Sequence, residues 1–265
     1  MPAKAPILQK DQLKRYGKFA LKLVLTGAAL YFVFTKIDFQ GFVEVVKSVN
    51  VGYYFLAILS YNFSMSIASF RINEFYEQAD ARLNWFTSWK LYYVGIFYNL
   101  FLPGSIGGDA YKVYLLKQNS KCVKTKYLVS ATLLNRLSGL LFLVLFTCLF
   151  LMFSSFGDKF EYFNIGLLAA MLCSFPIYYF FFRLLFSRFL PKFWLTNLYS
   201  AGVQIGQVLC GFFIFLSLGN TSHLLDYLSM SMASSVLAVV PFTIGGAGAR
   251  ELAFYYGFQY LEIPQ

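Results

Sequence analysis

The sequence predicts an all-α integral membrane protein: a polytopic helical bundle with two re-entrant broken helical hairpins in an inverted-repeat arrangement. Three observations carry this. Of the 265 residues, 58% are hydrophobic and 13% charged, against about 45–50% and about 25% in soluble domains. Apolar runs of roughly 20 residues, enough to cross about 30 Å of hydrocarbon, recur along the chain. Two further runs are each interrupted by a Pro-x-Ser/Thr-Ile-Gly-Gly element.

Full spans are expected at about 17–35, 51–70, 127–153, 163–182 and 196–218. The first follows a basic segment but lacks a small-x-small cleavage site, so it reads as an uncleaved span. Between the first two, Asp38–Val49 places apolar pairs at helical spacing, as an interfacial helix does. The interrupted stretches cover about 86–118 and 224–262, breaking at Pro103-Gly104-Ser105-Ile106-Gly107-Gly108 and Pro241-Phe242-Thr243-Ile244-Gly245-Gly246.

Charge decides whether these stretches cross or double back, because Lys and Arg accumulate in cytoplasmic loops. With both doubling back, sixteen of the 22 basic residues lie on one side, and only Lys36, Lys47 and Lys159 on the other. A full crossing near 86–102 would put Lys117, Lys121, Lys124 and Lys126 outside. Re-entrance is therefore favoured, with the N-terminus cytoplasmic. The first hairpin then enters from the cytoplasm and the second from the opposite face. One transmembrane domain over 1–265 would hold repeat 1 at about 17–153 and repeat 2 at about 163–265, the latter lacking its last helix. Such inverted repeats with discontinuous helices are a transporter plan whose substrate site lies at the breaks.

The net charge of +10 is spread between apolar runs rather than gathered on a solvated face, which argues against nucleic acid. One His and four scattered Cys (Cys122, Cys148, Cys173, Cys210) give no metal-ligand spacing. The cysteines read as small buried hydrophobes, and no cofactor is expected. No His-Glu-x-x-His, P-loop or Gly-x-Ser-x-Gly appears, so the chain is not expected to be an enzyme.

A helix restarting after a glycine pair presents free N–H groups and a positive dipole end, a seat for phosphate or carboxylate. Both breaks qualify as ligand-facing elements; the alternative is a structural kink. Arg136 interrupts an apolar span and is either functional or a snorkelling side chain. Asp109 stands where helix capping is the simpler reading. Arg71, at the end of the second span, marks the interface or joins Lys112 in a basic entrance for lipid phosphates. Arg250 could anchor an anionic headgroup, and Glu251 either pairs with a basic neighbour or titrates.

Three blocks carry a family resemblance: Asn99-Leu-Phe-Leu-Pro103-Gly104-Ser105-Ile-Gly107-Gly108-Asp109-Ala-Tyr-Lys112, Asn135-Arg136-x-x-Gly139-Leu, and Pro241-Phe-Thr-Ile-Gly245-Gly246-Ala-Gly248-Ala-Arg250-Glu251. They resemble the signatures of the lysylphosphatidylglycerol synthase transmembrane (flippase-like) family. The resemblance implies movement of anionic, aminoacylated or polyprenyl-linked lipids between leaflets of a bacterial or archaeal cytoplasmic membrane. Its partners would be membrane lipids, an anionic phospholipid or a polyprenyl-phosphate-linked lipid. The alternative is a membrane module that docks a separately encoded lipid-modifying synthase or glycosyltransferase. An intramembrane transferase would have only Asp109 and Glu251 as buried candidates. Family members often carry Arg where Lys112 stands and Asp where Asn135 stands, so an Asp–Arg pair at the cytoplasmic mouth is expected to be absent.

Overall fold

The structure, a computed structural model, describes residues 39–101, 107–119, 123–156, 162–219, 222–239 and 248–261, together with positions 27, 31 and 35. The expected first span, both Pro residues of the breaks and Cys122 lie outside the described residues. Among those described, all regular structure is helical. In chain order the helices are α1 (Phe39–Ser48), α2 (Val51–Gln78), α3 (Trp85–Phe101), α4 (Gly107–Asn119), α5 (Thr125–Met152), α6 (Phe163–Leu185), α7 (Phe193–Ser217), α8 (Leu224–Val239) and α9 (Ala249–Leu261). A short 3-10 segment, Ser187–Lys192, leads into α7.

Four helical stretches are long and apolar enough to cross a membrane: α2, α5, α6 and Ser187–Ser217. At 1.5 Å per residue, the 28 residues of α2 extend about 42 Å. That exceeds the hydrocarbon thickness. The span expected to stop near residue 70 runs on for two more turns, because Ile72, Phe75 and Tyr76 continue its buried face.

Side-chain contacts fix which helix ends lie together. Asn50, at the start of α2, donates its backbone N–H to Ser217 O at the end of α7 (2.8 Å), so these two helices run antiparallel. Its side chain also caps α2, accepting from Gly52 N at 3.0 Å and Tyr53 N at 3.3 Å. At the other end, the close of α2 meets the start of α5, the close of α6 and the start of α7. There Ile72, Phe75, Tyr76, Leu128, Phe182 and Phe193 form an apolar cluster. Phe193 packs edge-on against Phe182, ring centres 4.9 Å apart. Ion pairs rim this cluster: Lys192 Nζ lies 2.7 Å from Glu74 Oε2, and Arg188 Nη2 lies 2.6 Å from Asp80 Oδ2. Half-exposed pairs of this kind add little stability. They mark the basic end of the bundle.

Within the bilayer helices cannot associate by excluding water, so small residues and interhelical hydrogen bonds draw them together. The α2–α7 seam follows this rule. Ser64 Oγ donates to Val203 O at 3.0 Å, and a Cβ added to Gly206 would lie 2.8 Å from the Ser64 Cβ. By contrast α6 buries only Phe182 among its residues, and its Leu172, Ile177, Phe180 and Leu184 face outward. Pro176 is tolerated within it. Of the described cysteines only Cys148 is buried; Cys210 is intermediate and Cys173 is exposed on this outward face.

The two broken stretches each fold as a pair of packed helices. α3 returns along α2: Ser88 Oγ donates to Ser69 O (3.0 Å), Trp89 Nε1 to Ser66 Oγ (3.2 Å) and Tyr93 OH to Asn62 Oδ1 (2.7 Å). α3 thus starts at the basic end, and α4 finishes there, with five residues between its last residue and Thr125, where α5 begins. At the opposite end, the buried Asp226 of α8 accepts from Ser155 N (2.7 Å) and Ser155 Oγ (3.0 Å), just past α5. Tyr260, near the end of α9, stacks on Phe156 with ring centres 5.6 Å apart. The ends of this second pair therefore meet the far end of α5.

Gly206→Val should push α2 and α7 apart and lower stability by about 1–3 kcal/mol. A lowered unfolding midpoint of the purified protein in detergent, read by tryptophan fluorescence, checks this.

Candidate functional site

Asn73 prepares the first hairpin. Its Nδ2 donates to Leu83 O (2.9 Å) and its Oδ1 accepts from Leu83 N (3.2 Å), pinning the loop between α2 and α3. Near the close of α3, Asn99 Oδ1 accepts the Gly108 N–H at 2.9 Å and so caps the restarting helix α4. A cap from a neighbouring helix satisfies a donor that hydrocarbon would leave bare. The crossing of the two helices needs glycine: a Cβ on Gly108 would fall 1.9 Å from Gly95 O. On Gly95 in turn rests the aliphatic stem of Lys112, whose Cδ would lie 2.8 Å from an added Cβ.

These contacts leave a cavity of about 230 Å³ between α2, α3, α4 and α5, lined by Arg71, Tyr92, Ile96, Asn99, Asp109, Lys112, Asn135, Arg136 and Gly139. Counting along the helices, Arg71 lies about 10 Å from the basic end of α2, and Arg136 about 16 Å from that end of α5. Arg71 is 4% exposed, Lys112 4% and Asp109 7%.

The charges are arranged unevenly. Asp109 Oδ1 receives Lys112 Nζ at 2.6 Å, and Asp109 Oδ2 receives Arg136 Nε. Arg71 is held by neutral groups: its Nε donates to Asn135 Oδ1 and its Nη1 to Ser200 Oγ, both at 2.9 Å. Behind it, Ser200 Oγ lies 2.6 Å from Ser138 Oγ and donates to Thr196 O at 2.9 Å. Gly139 gives the guanidinium room, since a Cβ there would come within 3.2 Å of it. Among the described residues Asp109 is the one carboxylate lining this cavity, against three cations.

Several expectations are revised by this geometry. Asp109 is not a helix cap; Asn99 does that, and Asp109 serves as counter-ion to two cations. An Asp–Arg pair is present after all, because Asp109 supplies across helices the carboxylate that Asn135 lacks. Arg136 donates its Nε to Asp109 while its side chain stays partly exposed. Arg71 and Lys112 are buried in the cavity wall and do not form an exposed entrance. Glu251 pairs with no basic side chain among the described residues: its Oε2 accepts the Gly248 N–H at 2.7 Å and caps α9. Gly248 itself needs its glycine freedom, with φ at +84°.

Of the residues singled out in the first block and elsewhere, Arg71, Asn99, Asp109, Lys112 and Arg136 share one cavity, and Gly107 and Gly108 begin the helix beside it. Gly248, Arg250 and Glu251 line neither this cavity nor the larger apolar one of about 550 Å³ between α8 and α9. Pro103, Gly104, Ser105, Pro241, Gly245 and Gly246 lie outside the described residues. Sequence reasoning missed Tyr92, Ser138 and Ser200. The signal for Ser200 was available: Thr196, Ser200 and Gln204 recur every four residues and draw a polar stripe down an apolar span.

Asp109→Asn should leave Lys112 and Arg136 without their carboxylate and destabilise the protein by about 3 kcal/mol. A chemical denaturation series on the detergent-purified variant, compared with wild type, reads this directly.

Residues 19–265 match the family model described as the lysylphosphatidylglycerol synthase TM region. No curated protein matches the chain, and no solved structure does.

Proposed function

The chain belongs to the family of the lysylphosphatidylglycerol synthase transmembrane region, and from that membership and the cavity's chemistry we propose that it is a lipid translocase carrying an anionic headgroup between leaflets. The observation that carries the reading is the surplus of positive charge around a cavity set inside the bundle. Ionisable side chains at such depth are costly and mark substrate paths. Three cations with one carboxylate attract an anion; a purely structural cluster would balance its charges. The volume of about 230 Å³ suits a headgroup, being below the roughly 300–1,000 Å³ that encloses a whole drug-sized ligand. The acyl chains would then stay in lipid.

In this reading α3–α4 and α8–α9 are re-entrant hairpins of an inverted repeat. The support is that α3 leaves from the basic end and α4 returns to it, whereas α8 and α9 both meet the far end of α5. The basic end faces the cytoplasm of a bacterial or archaeal cell, as the positive-inside rule directs. A headgroup enters there, is held by Arg71, Lys112 and the capped start of α4, and leaves toward Arg250, the exposed cation in the first turn of α9. No bond is made or broken in this cycle, so the chain acts as a carrier and not as an enzyme.

Thiol labelling tests the topology. In a cysteine-free background, Arg82→Cys and Lys124→Cys should react from one face of sealed vesicles and Ser222→Cys from the other. Reaction of the first two from opposite faces would refute re-entrance. Transport is tested in proteoliposomes with a fluorescent anionic lipid, quenched from outside by dithionite. Gly108→Leu, which cannot be seated against Gly95, should lower the rate at least about tenfold, as should Arg71→Gln. Wild-type rates in both variants would sink the translocase.

A further inference from the structure

We propose that the cavity recognises a dianionic terminal phosphate, a phosphomonoester at the end of a lipid, in preference to a monoanionic phosphodiester. This rests on the anion-binding reading above and narrows it to a charge state. The argument is a charge balance. Buried charges are tolerated when they are compensated within their own cavity. Among the described lining residues, Arg71 and Lys112 bring two buried positive charges, the partly exposed Arg136 a third and Asp109 one negative, so two remain. Asp109 is already engaged at both oxygens, by Lys112 and by Arg136. Among the described residues Arg71 has no carboxylate within ion-pair distance, and it leans on the neutral Asn135 and Ser200. A monoanion entering this cavity leaves one charge unmatched. A dianion closes the balance.

The shape of the donor set agrees with this. A terminal phosphate offers three oxygens and no ester substituent on its outer side. Arg71 enters from α2, Lys112 from α4 and Arg136 from α5, so the cations converge from three helices onto one small volume. Asn99 and Tyr92 complete the wall with neutral polar atoms. A headgroup extended by an added amine, with its own positive charge, would worsen the balance that a bare phosphate repairs.

The experiment measures binding to the full-length protein in detergent at pH 8 by isothermal titration. The probes are dihexanoyl phosphatidic acid, dihexanoyl phosphatidylmethanol and inorganic phosphate. The first two differ by one methyl group and one charge. Phosphatidic acid is expected to bind at least about tenfold more tightly than phosphatidylmethanol, and more tightly than inorganic phosphate, which lacks the chains. Arg71→Gln should shrink the preference to within about threefold. Arg136→Gln, at a half-exposed position that tolerates substitution, should do the same; both variants are first shown to keep wild-type helicity and a single size-exclusion peak. Equal binding of the two lipids, each weakened by Arg71→Gln, would overturn the dianion preference and leave the anion site standing. Equal affinity for inorganic phosphate and phosphatidic acid would overturn the lipid as its source. Binding of none of the probes would remove both this inference and the translocase reading beneath it.

Discussion

Arg71 sits in the body of a long apolar helix, 4% exposed, and a guanidinium in that position must be solvated by protein. Much of the bundle answers to that requirement. Asn135 on α5 and Ser200 on α7 accept from it, Ser138 and Thr196 support Ser200, and Gly139 clears the space the planar group needs. Those partners come from two helices, α5 and α7, so satisfying one cation on α2 fixes the rotation of three helices about one another. The apolar cluster around Phe182 and Phe193 lies against the same seam, toward the basic end. Polar and apolar packing thus specify a single arrangement.

Around this core the pair α3 and α4 resolves a second difficulty, a helix start that must find a partner for its free backbone N–H. Asn99 supplies the acceptor that Gly108 lacks, and the glycines let two backbones touch. The resulting approach brings Asp109 and Lys112 to face Arg136. Cap, crossing and ion pairs are therefore one construction. Replacing any of its members alters the others through contacts of less than 3 Å.

Much of this was legible in the chain itself. Span positions follow from runs of apolar residues, and the hairpin residues follow from the paired Pro and Gly elements. The basic end is marked by where Lys and Arg collect. Arg71, Asn99, Asp109, Lys112 and Arg136 could all be named from sequence because each is an anomaly in its surroundings: an ionisable or amide group among apolar neighbours. Their pairing could not be read. Asp109 is three residues from Lys112 but 27 from Arg136, and nothing local distinguishes a cap from a counter-ion. Likewise Arg71 and Ser200 are 129 positions apart. Helix ends were misjudged where a charge such as Arg71 looked like a boundary, since a boundary and a buried cation lining a cavity present the same letter.

The seating of Lys112 on Gly95 has a consequence for recognition. A lysine side chain ordinarily carries about 2 kcal/mol of rotamer entropy, which a ligand must remove in order to use its ammonium. Here the stem lies flat on the bare backbone of α3, with the ring of Tyr92 5.4 Å from its Nζ and the Asp109 carboxylate holding that nitrogen. That freedom is surrendered when the chain folds. On the proposed reading, an arriving anion would meet a charge whose direction is already set, and its binding energy would not be diverted into ordering the host.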